Sequence, residues 1–339
     1  MDKRAGYIEV LLRNGLNIKK KDSLLISVPN TGRELALEIE KRAKELGIED
    51  IYIFYNNLKK GDNRIPEYIE KHAKFLFFTT ENKNDLNTEM VNDILNNDIG
   101  IEYTVAVLPS HEFISEDEVY YYSSISDNNA VIEWNKKISD NNKIVSQIKN
   151  FKLNTLKVES LADTKLTMKF SSDVVGNSER GRMQLFPNYK VELIPQQDTV
   201  NGYITATSPV IIGTTKVEEL RLSIDSGRVV DYDCASGNGI IKKVLDYHLT
   251  PVVEAIGLVD NQEPTYEKYT KFNNIVLDRT NSPYVLISSY DATNDEKNYL
   301  FIPIGNGSLK VNGSNENGKN IPIYEEEGFS KKIMPNKNK

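Results

Sequence analysis

Three histidines, His72, His111 and His248, are the imidazoles on which acid–base or metal chemistry could draw. No two of them stand two, three or four residues apart, the spacing that sets a pair of imidazoles on one metal. His72 precedes Ala73 in a helical stretch and His111 follows Pro109-Ser110 at a strand end, positions suited to surface or capping roles. His248 stands six residues before Glu254, which allows a carboxylate–imidazole pair. A serine nucleophile would need a Gly-x-Ser-x-Gly turn, and the sequence has none. Gly237-Asn238-Gly239 opens a helical stretch but lacks the third glycine of a dinucleotide loop, and no phosphate-loop Lys-Ser/Thr signature occurs. A turn or helix start is expected there. The carboxylates Glu218-Glu219 and Asp231…Asp233 read as exposed strand edges. Cys234 is the only cysteine, so one chain can form neither a disulfide nor a multi-thiolate zinc or iron–sulfur site.

The elements that position these groups belong to a chain of 339 residues, a length that suits two domains of roughly 100–200 residues each. With 39% hydrophobic and 27% charged residues there is enough apolar material for a packed core. The net charge of -7 opposes nucleic-acid binding, which rests on Lys and Arg neutralising phosphates. Lys19-Lys20-Lys21 and Lys331-Lys332…Lys337…Lys339 read as a solvated turn and a terminal tail. No apolar run reaches the roughly 20 residues that span a bilayer, and Met1-Asp2-Lys3-Arg4-Ala5-Gly6-Tyr7 lacks the apolar core of a secretory signal. A cytoplasmic protein that engages neither membrane nor nucleic acid is expected.

The first 150 residues alternate helix and strand. Ile8, Leu11 and Leu12 recur at helical spacing, with Gly15 as the stop. Ser23–Val28 reads as a buried strand. Thr31 is placed to cap a helix over Arg33–Leu46 with the stripe Leu35, Ile39, Ala43 and Leu46 and a stop at Gly47. Ile51–Tyr55, Lys74–Thr79 and Tyr103–Leu108 are further strands, and Pro66–His72 a short helix. Strands separated by helices imply a mostly parallel sheet, so residues 1–150 are expected to be an α/β domain ending in a bridging helix that holds Trp134, Ile138 and Ile144. Residues 151–330 read as a β-rich α+β domain. Its short alternating runs are Thr155–Ser160, Lys165–Phe170, Val191–Ile194, Gly202–Ala206, Glu219–Ile224, Arg228–Ala235, Phe272–Leu277, Tyr284–Ser289, Tyr299–Ile304 and Ser308–Val311. Ser226-Gly227 suits a hairpin turn, and Ile240–Leu249 a helix. Residues 331–339 read as a mobile tail.

Two stretches carry a family resemblance. Tyr7-Ile8…Leu12…Gly15-Leu16-Asn17-Ile18-Lys19…Leu24-Leu25-Ile26 resembles the N-terminal helix, turn and strand of aminopeptidase T-type metallopeptidases. The second half resembles the related dihydroxypyridine dioxygenases. Gly181-Arg182…Phe186-Pro187…Pro195…Val200-Asn201-Gly202 is similar to their "GR…(F/W)P…NG" stretch, and Val253-Glu254-Ala255-Ile256-Gly257…Asn261 to "GEFGxGxN". Phe272-Asn273-Asn274-Ile275-Val276-Leu277 is similar to "FxGNVLF", and Tyr299-Leu300-Phe301-Ile302-Pro303…Ser308-Leu309 to "HxDIPM…SL". The order is collinear over nearly the whole chain. The resemblance implies an aminopeptidase T-like fold, a cleft in or against the β-rich domain, and a homodimer.

It also implies where metal ligands would stand. Counting back from Val200-Asn201-Gly202, the first glutamate position of the family falls on Lys190, with Glu192 two residues on along the same strand face. Glu254 of the "GEFG" stretch is kept. The position after Asn261 is Gln262, and the His and Asp of "HxD" are Tyr299 and Phe301. A non-haem iron site needs two imidazoles and a carboxylate. Phenylalanine cannot ligate, neutral Gln and Tyr are poor replacements, and a lysine repels a cation 4 Å away by about 4 kcal/mol at intermediate dielectric. No metal or other cofactor is therefore expected. The resemblance leaves a pocket with Lys190, Glu254 and Tyr299 as candidate catalytic groups and Glu192, His248, Gln262 and Phe301 as candidate ligand-binding groups, suited to a small molecule or a peptide.

Three functions follow. The first is a metal-independent descendant that binds or processes such a ligand, in a biosynthetic setting, with Lys190 as ion-pair or acid–base partner of Glu192 or Glu254. The second is a pseudoenzyme that scaffolds a protein partner. The third is an active metal-dependent aminopeptidase or ring-cleaving dioxygenase with displaced ligands: His248, Glu254 and Glu192.

Overall fold

The computed structural model describes residues 3–55, 74–79, 102–107, 119–120, 125, 130–176, 183–186, 190–212, 215–246, 249–260, 282–291, 296–305, 307–326 and 328–334. The chain divides into two compact units. One comprises Met1–Ile138, Arg180–Asn188 and Phe272–Leu277; the other Ser139–Glu179, Tyr189–Lys271 and Asp278–Lys339. The expected strand at Phe272–Leu277 and helix at Pro66–His72 lie outside the described residues.

In chain order the described helices are α1 (Lys3–Val10), α2 (Arg33–Glu45), α3 (Ala130–Asn150) and α4 (Asn238–Asp246). The strands of the first unit are β1 (Leu24–Val28), β2 (Ile51–Tyr55), β3 (Lys74–Thr79), β4 (Glu102–Val107) and, from much later in the chain, β7 (Met183–Phe186). Those of the second are β5 (Leu153–Glu159), β6 (Lys165–Val175), β8 (Lys190–Pro195), β9 (Asn201–Thr205), β10 (Val210–Ile212), β11 (Thr215–Val217), β12 (Arg221–Asp225), β13 (Arg228–Asp233), β14 (Leu249–Val259), β15 (Tyr284–Asp291), β16 (Glu296–Pro303), β17 (Leu309–Asn315), β18 (Asn320–Glu326) and β19 (Gly328–Phe329).

The first unit is an α/β layer built on a parallel sheet of order β2-β1-β3-β4-β7. Every residue of β1 is buried, as a strand covered on both faces must be. Leu35, Ile39 and Ala43 of α2 form the buried stripe that four-residue spacing dictates, and Gly47 ends it at φ 90°. Thr31 does not cap this helix. It lies in a 3-10 turn, Asn30–Gly32, closed by Gly32 N–H donating to the Pro29 carbonyl at 2.8 Å, and Gly32 takes the N-cap place. The first helical run does end at Gly15, as expected, but its last turn, Leu11–Gly15, is π-helical and the left-handed residue beyond it is Asn17 at φ 46°. Gly15 offers its carbonyl to the buried Thr104 hydroxyl at 2.9 Å, which ties this turn to β4.

The second unit is an antiparallel sheet whose pairings close on themselves. β6, β9, β12, β13, β14 and β8 form a circuit in which each strand is antiparallel to the next and β8 returns to β6. β15 and β16 extend the sheet from β14, and β5, β17, β18 and β19 extend it from β6. Alternate residues such as Leu156, Val158, Leu166, Val191, Leu193, Ile256, Leu258, Val285 and Ile287 form its main core. Ser226 and Gly227 turn between β12 and β13 at φ 49° and 77°, the two positive angles of a two-residue hairpin. The predicted helix over Ile240–Leu249 is corrected at both ends. It begins after Gly237, at φ 86°, and Leu249 already belongs to β14, because Pro251 has no N–H to continue a helix and Val252 and Val253 favour a strand. Among the described residues no helix is long and apolar enough to cross a membrane.

Candidate functional site

The two-residue period of β8 sorts its side chains. Val191 and Leu193 enter the main core, whereas Lys190, Glu192 and Ile194 occupy the opposite face. Register then aligns a row across three strands: Glu192 of β8 lies opposite Gly257 of β14, and Gly257 opposite Tyr284 of β15. Two strand spacings, about 10 Å, separate the outer members. The Tyr284 ring bridges that gap by lying over Gly257, whose missing side chain leaves the room. An ideal Cβ on Gly257 would stand 2.7 Å from Tyr284 Cε2 and nearer still to Cζ and Cε1. A glycine inside a strand often marks such an approach.

The Tyr284 hydroxyl donates to Glu192 Oε1 at 2.5 Å. Lys190 Nζ donates to the same oxygen at 2.8 Å and stands 5.4 Å from the centre of the Tyr284 ring. The lysine and glutamate side chains are only 12% and 3% exposed, so this is an ion pair withdrawn from water, where charge-assisted hydrogen bonds are strongest. Lys190 is anchored at its backbone as well: its carbonyl accepts a hydrogen bond at 3.2 Å from Asn141 Nδ2, a buried amide on α3.

Glu254 reaches the same face by an irregularity. The β14–β15 register shifts between Val253 and Ala255, which makes Glu254 the extra residue of a bulge, and such bulges re-aim a side chain. Its Oε1 accepts the hydroxyl of the buried Ser288 at 2.6 Å and Gln197 Nε2 at 3.3 Å. The same face carries a small apolar cluster of Ala255, Tyr284 and Leu286 with Ile194 and Phe301. The Phe301 ring meets Tyr284 edge-on, with centroids 5.3 Å apart.

Of the candidates named from the sequence, Lys190, Glu192, Glu254 and Phe301 thus share one sheet face, and the Lys190 partner is Glu192. Tyr299 holds the register position opposite Ser288. Its side chain, with His248, Gln262, His72 and His111, lies outside the described residues. Sequence reasoning missed Tyr284, Ser288, Asn141 and Gln197. The one available signal was Gly257, a glycine within an otherwise apolar strand.

The described donors do not fit a divalent metal centre. No group of three or more His, Cys, Asp or Glu side chains occurs among the described residues. Phe301 has no donor atom, and the Glu192 carboxylate already carries an ammonium and a phenol on one oxygen. The arrangement can hold and pass protons: Tyr284 and Lys190 are donors converging on one buried carboxylate, and Glu254 is a second carboxylate in a separate hydrogen-bonded setting.

Four similarities accompany this geometry. Aminopeptidase AmpS of Bacillus subtilis (strain 168) is 23% identical over 169 residues, 44% of this chain and 41% of that protein. Aminopeptidase 2 of Geobacillus stearothermophilus is 23% identical over 157 residues, 41% of this chain and 38% of that protein. The matches therefore span about two fifths of these relatives' length. The solved structure of wild-type AmpT from Thermus thermophilus superposes with a TM-score of 0.71 at 13% identity, covering 96% of this chain and 98% of that one, so the aminopeptidase T-like fold is shared. The family model of the thermophilic metalloproteases (M29) matches residues 112–329, more than half of the chain, and the chain belongs to that family.

Proposed function

We propose that this M29 member binds and processes a peptide or a small organic molecule on the face formed by Lys190, Glu192, Tyr284 and Glu254, using its own side chains in place of a metal. One observation carries the reading: a half-buried lysine ammonium sits 2.8 Å from the buried Glu192, where it neutralises the carboxylate that a metal would otherwise need. The names of the curated relatives, both aminopeptidases, favour a peptide or an amino-acid derivative as the ligand class. Lys190 and Tyr284 serve as the proton donors and Glu254 as the carboxylate that orients or deprotonates the ligand. As the family resemblance implies, the protein acts as a homodimer.

The test has two arms. Aminoacyl and peptide amides are offered to protein stripped with a chelator, and to Lys190→Met and Glu254→Gln. Turnover or binding that survives the chelator and is lost in both variants supports the reading. One tightly held metal ion per chain that activity requires, or full activity in both variants, ends it.

A further inference from the structure

We propose that Glu192 and Tyr284 form a cation-binding site whose resident ion is the ammonium of the chain's own Lys190, and that the site admits a small cation from solution only when this lysine is removed. The inference rests on the reading of this face given above and deepens it by naming what holds the Glu192 charge.

Three independent features define the site. First, the anion is buried: the Glu192 side chain is 3% exposed, and a carboxylate so placed requires a positive partner. Second, the surroundings favour a cation from two directions. The phenol of Tyr284 donates to Oε1 at 2.5 Å, and the face of the same ring lies 5.4 Å from Nζ, within the range of a cation–π attraction. Third, the ion is tethered at a fixed point. Lys190 pairs with Val259 in the sheet, and its carbonyl is held by Asn141 at 3.2 Å. Residues two apart on a strand are about 7 Å apart at Cα, a gap that a lysine and a glutamate side chain leaning toward each other close together.

This arrangement explains exclusion by charge rather than by size. A second cation approaching Glu192 meets the ammonium at contact range, and among the described residues no group of three or more His, Cys, Asp or Glu side chains stands there to hold it. Truncating the lysine to alanine leaves a buried carboxylate, a phenol and a cavity the length of a propylammonium chain. Such a hollow should take up a small cation from solution.

The experiment uses the full chain and two probes, Co(II) and ethylammonium, read by equilibrium dialysis, by the visible absorption of bound Co(II) and by thermal melting. Wild type is expected to show no Co(II) binding that depends on Glu192 and no melting shift with ethylammonium beyond that of sodium at equal ionic strength. Lys190→Ala should bind Co(II) at least tenfold more tightly than wild type, or melt at a saturably higher temperature with ethylammonium. Either response should vanish in Lys190→Ala/Glu192→Gln. Lys190→Gln, nearly isosteric and neutral, takes the same measurements if the alanine variant does not fold. Lys190→Arg, which keeps the charge, should stay closed to Co(II). Glu192-dependent Co(II) on wild type overturns the proposal, as does the absence of any gain with both probes in both neutral variants. A cation response in a protein that neither binds nor turns over peptides would sink the ligand reading alone.

Discussion

Replacing Gly257 by alanine should reveal how tightly the row Glu192–Gly257–Tyr284 is built. In an ordinary strand interior, Gly→Ala stabilises by about 0.5–1 kcal/mol, because alanine loses less backbone freedom on folding. Here the added methyl would lie 2.7 Å from Tyr284 Cε2 and closer to two other ring carbons. Carbon contacts settle at about 3.5–4.0 Å, so the ring must withdraw by about 1 Å or more. It has little freedom to do so, being 2% exposed and packed against Leu286 and Phe301. Overpacking of this kind costs about 1–3 kcal/mol. Withdrawal also pulls the phenol from Glu192, and a hydrogen bond to a charged group contributes about 1.5–3 kcal/mol. After the alanine gain is set against these losses, Gly257→Ala is expected to destabilise by about 1.5–5.5 kcal/mol. Urea unfolding with comparison of midpoints measures it. The decisive comparison is the Tyr284→Ala background, where the ring is gone and the same Gly257→Ala change should be neutral or stabilising. Equal effects in the two backgrounds, or a parent-like midpoint for Gly257→Ala with Tyr284 present, would refute the close approach.

Other outcomes test separate contacts. Tyr284→Phe keeps the packing and deletes the hydroxyl, so a loss of about 1.5–3 kcal/mol is expected in urea titrations, smaller than for Gly257→Ala. Lys190→Met and Glu192→Gln should each cost about 3–5 kcal/mol by stranding a buried charge or its partner, whereas the double variant should cost much less than their sum; strict additivity would mean that the pair is not formed. Glu9 supplies a pH dependence in the first unit. Burial pushes its carboxyl up, but hydrogen bonds from Arg13 and Arg42 outweigh this and hold its pKa below the usual 4.5. A carboxyl that is more acidic in the folded state adds stability above the unfolded pKa and loses it as pH falls through the folded one. Unfolding free energy should therefore drop below about pH 4.5, and Glu9→Gln should flatten that drop; an unchanged slope between pH 5 and 3 would count against it.

How much was legible without coordinates differs by level. The parallel α/β start could be read because β1 is a continuous apolar run and α2 repeats its apolar residues at helical spacing. The Ser226-Gly227 hairpin was legible because a two-residue turn needs left-handed angles that few residues adopt. β7 was not: a four-residue strand carries too little pattern to announce that it leaves the β-rich half and pairs in parallel with β4. Nor was β14 read as a strand: Ile240 to Leu249 reads as a helix until Pro251 interrupts it, and the mixed run that follows lacks a clean alternation.

The site divides in the same way. The sequence alone determined which residue types stand at the candidate positions, and the two-residue period of a strand placed Lys190 and Glu192 on one face. That much is local, since side-chain direction along a strand follows from backbone geometry within a few residues. Only the tertiary structure decided that Glu192, not Glu254, takes the ammonium, and that Tyr284 reaches the same oxygen across Gly257. Only it decided that a bulge turns Glu254 toward Ser288. Those choices depend on the register between strands distant in the chain, which is set by how whole faces pack and not by any residue's own propensity.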